Sequence, residues 1–96
     1  MTAGLIVAGL NHRTAPVEVR ERLALEDDKL REVLSDLHGT GILEELVIVS
    51  TCNRVEVYGM AEAPGEARTA AFRHLCRQRG VELDLVESLL YTKTDA

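Results

Sequence analysis

The chain has 96 residues, 46% of them hydrophobic and 28% charged, with a formal net charge of −5 at pH 7. Those values fit one ordinary soluble domain, and the negative balance argues against binding polyanions over the whole surface, though not against a local basic patch. No apolar stretch approaches the ~20 residues that span a bilayer. The start lacks the charged region of a signal peptide, and two cysteines without a secretion signal suggest thiols in a reducing cytoplasm.

Only Phe72, Tyr58 and Tyr91 are aromatic, so the core must be mostly Leu, Val and Ala. Leu5 to Leu10 is a short apolar run closed by Asn11-His12-Arg13, which reads as a buried strand. Thr14-Ala15-Pro16 reads as a helix start, with Thr14 able to cap and Pro16 tolerated in the first turn of a short helix through Leu23. From Asp27 to His38, the residues Leu30, Val33, Leu34 and Leu37 recur at helical spacing, with acids early and Gly39 just past the end. That spacing predicts an amphipathic helix.

Strands follow at 45–50 and 55–60. Pro64-Gly65 opens a second helix over 65–79, in which Ala67, Ala71, Phe72, Leu75 and Cys76 share a face and which Gly80 stops. Asp84 reads as the cap of a short helical turn, and Leu89 to Thr92 as a last strand. The order strand, helix, strand, strand, helix, strand suits an α+β fold. We read it as the ferredoxin-like split β-α-β plait, a four-stranded antiparallel sheet with helices on one face.

The segment IVSTCNRVEVYG (48–59) is the chemically unusual one. A β-branched run and an alternating run flank Ser50, Thr51, Cys52, Asn53 and Arg54, which puts a thiol at a polar hairpin turn. Cysteine is ordinarily a small buried hydrophobe. In a plait the first strand lies antiparallel to the third. The end of strand one, Asn11-His12-Arg13, then falls beside Arg54, and two polar clusters converge on Cys52. Cationic neighbours and turn amides aimed at a sulfur favour the thiolate, the nucleophilic form. Arg54 is two residues on, His12 and Arg13 are candidates through space, and the nearest acid is Glu56. A thiolate attacking an ester forms a thioester, with turn amides or the Asn53 side chain available to the oxyanion.

Plainer readings stand beside these. His12 can be a surface histidine, and Cys76 next to Phe72 reads as core. Arg68, Arg73, His74, Arg77 and Arg79 read as a solvated face, and His38 as a complement to a helix C-terminus. No spacing suits a metal, and no Gly-rich loop follows a strand. Residue chemistry alone leads as far as a reactive thiol.

GLNHRTAPVEVRERL (9–23) followed by VSTCNRVEVY (49–58) resembles the N-terminal catalytic domain of the glutamyl-tRNA reductase family, and the likeness covers the whole chain. Val49 and Val55 stand where leucine and threonine are also common in that family. The resemblance implies transfer of the glutamyl group of glutamyl-tRNA onto Cys52, then reduction of the thioester by NADPH to glutamate-1-semialdehyde, the entry to tetrapyrrole (porphyrin and heme) biosynthesis. It further implies that Thr51, Cys52, Asn53 and Arg54 bind substrate, and the plait topology sets Asn11, His12 and Arg13 beside them as supporting candidates. Arginine suits that role, because its planar fork can hold the one free carboxylate of an esterified glutamate.

The resemblance also implies what lies elsewhere: a further histidine, a nucleotide-binding domain, a helical dimerisation domain making a homodimer, and an aminomutase that takes the product. Residues 1–96 read as the single N-terminal glutamate-recognition domain, without the NADPH site and without a metal. Two other classes stay open at this point: a noncatalytic ligand- or protein-binding plait, and a thiol redox sensor, whose sulfenic acid would need a resolving thiol nearby.

Overall fold

The computed structural model describes residues 4–43 and 45–94. In chain order the elements are β1 (Gly4–Asn11), α1 (Val17–Leu23), α2 (Asp27–Thr40), β2 (Glu45–Ser50), β3 (Arg54–Ala61), α3 (Pro64–Arg79), α4 (Leu83–Glu87) and β4 (Tyr91–Thr94). The strands form one sheet in the order β2-β3-β1-β4, and every neighbouring pair is antiparallel. This is the ferredoxin-like plait that the element order predicted.

Side chains alternate between the faces of a strand. Ile6, Ala8 and Leu10 of β1, Ile48 of β2, and Val55, Val57 and Ala61 of β3 turn toward the helices and are buried. They join Val33 and Leu37 of α2 and Ala67, Ala71, Phe72, Leu75 and Cys76 of α3 in one core. All five residues assigned to the inner face of α3 are buried. Phe72 is fully buried, which contributes roughly 2–3 kcal/mol on the area scale for large apolar side chains. In α2, Leu30 and Leu34 pack half-buried at the edge of the same core.

Several element ends differ from the sequence reading by a residue or two, and four of the differences have a local reason. Helix α2 runs through Gly39 to Thr40, and the residue that ends it is Gly41, at φ 72°. That left-handed cap is where a missing Cβ matters. Thr14 does not cap α1. Its hydroxyl accepts the Asn11 N–H at 3.0 Å, which closes the turn after β1, and Pro16 holds the cap position with no side-chain hydrogen bond. Asp84 lies inside the first turn of α4, whose cap position is Glu82. The last strand starts at Tyr91 because the Leu89 and Leu90 amides close turns on Val86 and Glu87, and both side chains pack against the core. The basic face of α3 is otherwise as read: Arg73, Arg77 and Arg79 are exposed, while half-buried Arg68 pairs with Glu87 at 3.7 Å.

Candidate functional site

The sheet places two turns side by side. Asn11, the last residue of β1, is register partner to Arg54, the first of β3. The turn after β1 and the β2–β3 loop therefore share one sheet edge. Asn11, His12, Thr51, Cys52, Asn53, Arg54 and Glu56 line a single open depression there of about 420 Å³. Arg13 is exposed on the same turn and does not line it.

Each turn is held by its own side chains. Asn11 Oδ1 accepts the amides of Arg13 at 2.8 Å and Thr14 at 3.2 Å, an Asx-type turn that fixes the backbone of His12. In the loop, the Thr51 amide donates to the Arg54 carbonyl at 2.8 Å. Thr51 Oγ1 accepts the amides of both Asn53 and Arg54 at 3.2 Å. Those two amides are thus engaged by Thr51 rather than aimed at the sulfur. The Cys52 amide, the Thr51 hydroxyl proton and the Asn53 side chain are loop donors without a partner among the described residues.

The two cysteines differ sharply. Cys52 is exposed and Cys76 is buried, both as free thiols. Burial pushes the Cys76 thiol up to about 11. A thiol inside the helical core of this fold is no resolving partner for an exposed loop thiol, and the redox-sensor reading loses its second cysteine.

The structure gives a role to a group that the motif chemistry left without one. Arg54, Glu56 and Tyr58 alternate onto the sheet face opposite the helices. Glu56 is only 7% exposed. One of its oxygens accepts the Tyr58 hydroxyl at 2.9 Å, and the other accepts the Tyr91 hydroxyl. Arg54 Nε lies 3.4 Å from the same carboxylate. The row is possible because Gly9 is the register partner of both Glu56 and Tyr91. A Cβ at Gly9 would meet the Val55 carbonyl oxygen at 2.5 Å and Glu56 Cγ at 2.8 Å.

Both tyrosines record the carboxylate. The hydrogen bond to Glu56, then burial and the Glu56 charge, raise Tyr58 above its ordinary value, with Arg54 opposing. Burial first, then Glu56, holds Tyr91 well above the usual phenol range. The period-two pattern Arg54-x-Glu56-x-Tyr58 was the sequence signal for this cluster. Tyr91, on a strand that pairs with β1, had none. With its Nε turned to Glu56, Arg54 keeps its terminal nitrogens without a hydrogen-bond partner among the described residues, the edge that forks a carboxylate.

Among the described residues no group of His, Cys, Asp and Glu suits a metal, and no helix is long and apolar enough to cross a membrane. The sheet is antiparallel throughout, so it has no crevice at parallel strand ends with a Gly-rich turn into a helix.

Fold and site together define a class: a ferredoxin-like plait that displays a free thiol at a polar, arginine-bearing depression. The profile described as "Glutamyl-tRNAGlu reductase, N-terminal domain" matches residues 8–96. Curated proteins named glutamyl-tRNA reductase are similar over most of the chain. The one from Rippkaea orientalis is 38% identical over 88 residues, which is 92% of this chain and 21% of that protein. That from Akkermansia muciniphila is 41% identical over 81 residues, 84% of this chain and 24% of that protein. The chain belongs to the N-terminal domain family of glutamyl-tRNA reductase. It spans between a fifth and a quarter of the length of these relatives.

Proposed function

We propose that this chain is the glutamate-recognition and acyl-acceptor part of a glutamyl-tRNA reductase, with Cys52 as its nucleophile. The observation that carries this is the placement of an exposed Cys52 in one depression with Asn11, His12, Asn53 and Arg54. The Cys52 thiolate adds to the ester carbonyl carbon of glutamyl-tRNA. The S–C bond forms, the C–O bond to the terminal ribose breaks, and the ribose oxygen leaves and takes up a proton. Thr51 shapes the loop that carries the thiol, and its hydroxyl proton remains free to donate. The Cys52 amide and the Asn53 side chain are the available donors for the oxyanion. Arg54 holds the side-chain carboxylate of the glutamyl group, with Glu56 turning its guanidinium. His12 lines the same depression, and Asn11 fixes the turn that presents it.

Reduction by NADPH, which the family likeness implies for the whole enzyme, is assigned to no residue of this chain. With it go the remaining inferences from that likeness: a nucleotide-binding domain and a helical dimerisation domain outside these residues, a homodimer, a product passed to an aminomutase, and a cytoplasmic setting in which Cys52 and Cys76 remain thiols.

Incubation with glutamyl-tRNA tests the reading. The chain is expected to give slow, Cys52-dependent loss of the glutamyl group and no semialdehyde at any NADPH concentration. Loss at the wild-type rate in Cys52→Ser refutes acyl transfer to this thiol, and semialdehyde formation by this chain refutes the domain assignment.

A further inference from the structure

The Cys52 loop is attached from behind by a residue that the motif reading did not single out. Arg20, on α1, donates from Nη1 to the Cys52 carbonyl at 3.0 Å, across 32 positions of sequence. Among the described residues this is the only side-chain hydrogen bond that reaches Thr51, Cys52 or Asn53 from another element. Arg20 Nε is buried with no hydrogen-bond partner. Leaving a buried donor unpaired costs on the order of 1–3 kcal/mol, so the guanidinium occupies its place despite a local penalty.

The anchor is itself fixed. Leu23 of α1 is fully buried, the Arg22 carbonyl accepts Arg79 Nε at 3.0 Å, and the Leu25 amide donates to Ser50 Oγ at 3.0 Å. Charge points the same way. Arg54, the cation expected beside the thiol, lies against Glu56, whereas Arg20 has no ion-pair partner among the described residues.

We infer that Arg20 is a positioning residue for the nucleophile. By holding the Cys52 carbonyl to α1, it keeps the thiol-bearing loop in one conformation at the depression and supplies an unneutralised cation behind it. The inference rests on the reading of Cys52 as acyl acceptor, and two independent measurements separate the two claims. Amide hydrogen exchange follows Thr51, Asn53 and Arg54, whose amides are hydrogen-bonded within the loop, with β1 and β3 as internal controls. Single-turnover loss of the glutamyl group from glutamyl-tRNA gives the maximal rate and the half-saturating chain concentration. The variants are Arg20→Met, which loses the donor and the charge, and Arg20→Lys, which retains both.

In Arg20→Met, loop exchange is expected to rise about tenfold, as for loss of one hydrogen bond from a charged group, with β1 and β3 protection unchanged. The maximal transfer rate falls by a similar factor, half-saturation stays within about twofold, and Arg20→Lys recovers most of both. Unchanged loop exchange in Arg20→Met overturns the clamp. A loosened loop with an unchanged maximal rate overturns the positioning role, and loss of protection throughout β1 and β3 makes Arg20 merely structural. A wild-type chain that shows no Cys52-dependent transfer refutes the acyl-acceptor reading by itself, while the exchange arm still decides the clamp.

Discussion

Replacing Glu56 with glutamine tests whether the open-face carboxylate organises the site. The substitution keeps shape and volume, removes the charge, and turns one of two accepting oxygens into a donor. In the wild type those oxygens accept the Tyr58 and Tyr91 hydroxyls, and Arg54 lies 3.4 Å away. A hydrogen bond to a charged group contributes about 1.5–3 kcal/mol against about 1 for a neutral one, so weakening two of them costs roughly 1–3 kcal/mol. The Arg54 pair adds less than about 1 kcal/mol, because the arginine side chain is half exposed. The total of about 1–4 kcal/mol lowers the melting temperature by roughly 4–30 °C in a domain of this size. Because Glu56 raises both phenols, the alkaline titration of phenolate absorbance should move to lower pH in the variant. Thermal unfolding followed by circular dichroism, with that titration beside it, is the assay. A melting point within about 3 °C of wild type together with an unmoved titration would refute the hub.

Iodoacetamide should modify exposed Cys52 well before buried Cys76, and equal rates with the fold intact would contradict the placement of the two thiols. Arg54→Lys keeps the charge but loses both the fork and the Nε contact to Glu56. It should slow glutamyl transfer at limiting glutamyl-tRNA by about tenfold or more, and wild-type kinetics would exclude Arg54 from holding the carboxylate. Gly9→Ala drives a methyl into the Val55 carbonyl and Glu56. It should cost roughly 1–3 kcal/mol, as overpacking does, with a shifted phenol titration as its mark, and an unchanged melting point would show that the strands give way. Stability should also fall at alkaline pH. Cys76 loses its proton near 9 when unfolded but only at about 11 when folded, and both tyrosines are raised in the same sense. The unfolded state then binds fewer protons, and the loss from Cys76 alone approaches about 3 kcal/mol above both values. Chemical denaturation midpoints that stay level through this window would refute burial of these groups.

Much of the fold was legible because its signals are local. The spacing of Leu30, Val33, Leu34 and Leu37 carries α2, the shared face of Ala67, Ala71, Phe72, Leu75 and Cys76 carries α3, and element order carries the plait. Boundaries were less so, since a helix ends where backbone geometry changes and not at the first glycine. Gly39 stays helical while Gly41 takes the left-handed cap. Leu89 and Leu90 have strand-like composition, yet they close the turn after α4 because their side chains find the core there. At the site, the motif around Cys52 was visible as a run of residue types, and the antiparallel pairing of strands one and three was enough to set Asn11 opposite Arg54.

By itself, then, the sequence determined the plait, the family, and the presence of a thiol between two polar turns, because periodicity, element order and contiguous motifs are properties of neighbouring residues. Only the tertiary structure decided how the loop's donors and charges are engaged. Thr51 takes up the amides of Asn53 and Arg54, Glu56 meets a tyrosine from β4 across Gly9, and Arg20 reaches the Cys52 carbonyl from α1. The physical reason is directional. A hydrogen bond depends on where two atoms lie within about 3 Å, and residues separated by 32 or 35 positions share that space only after the sheet and its helices have packed.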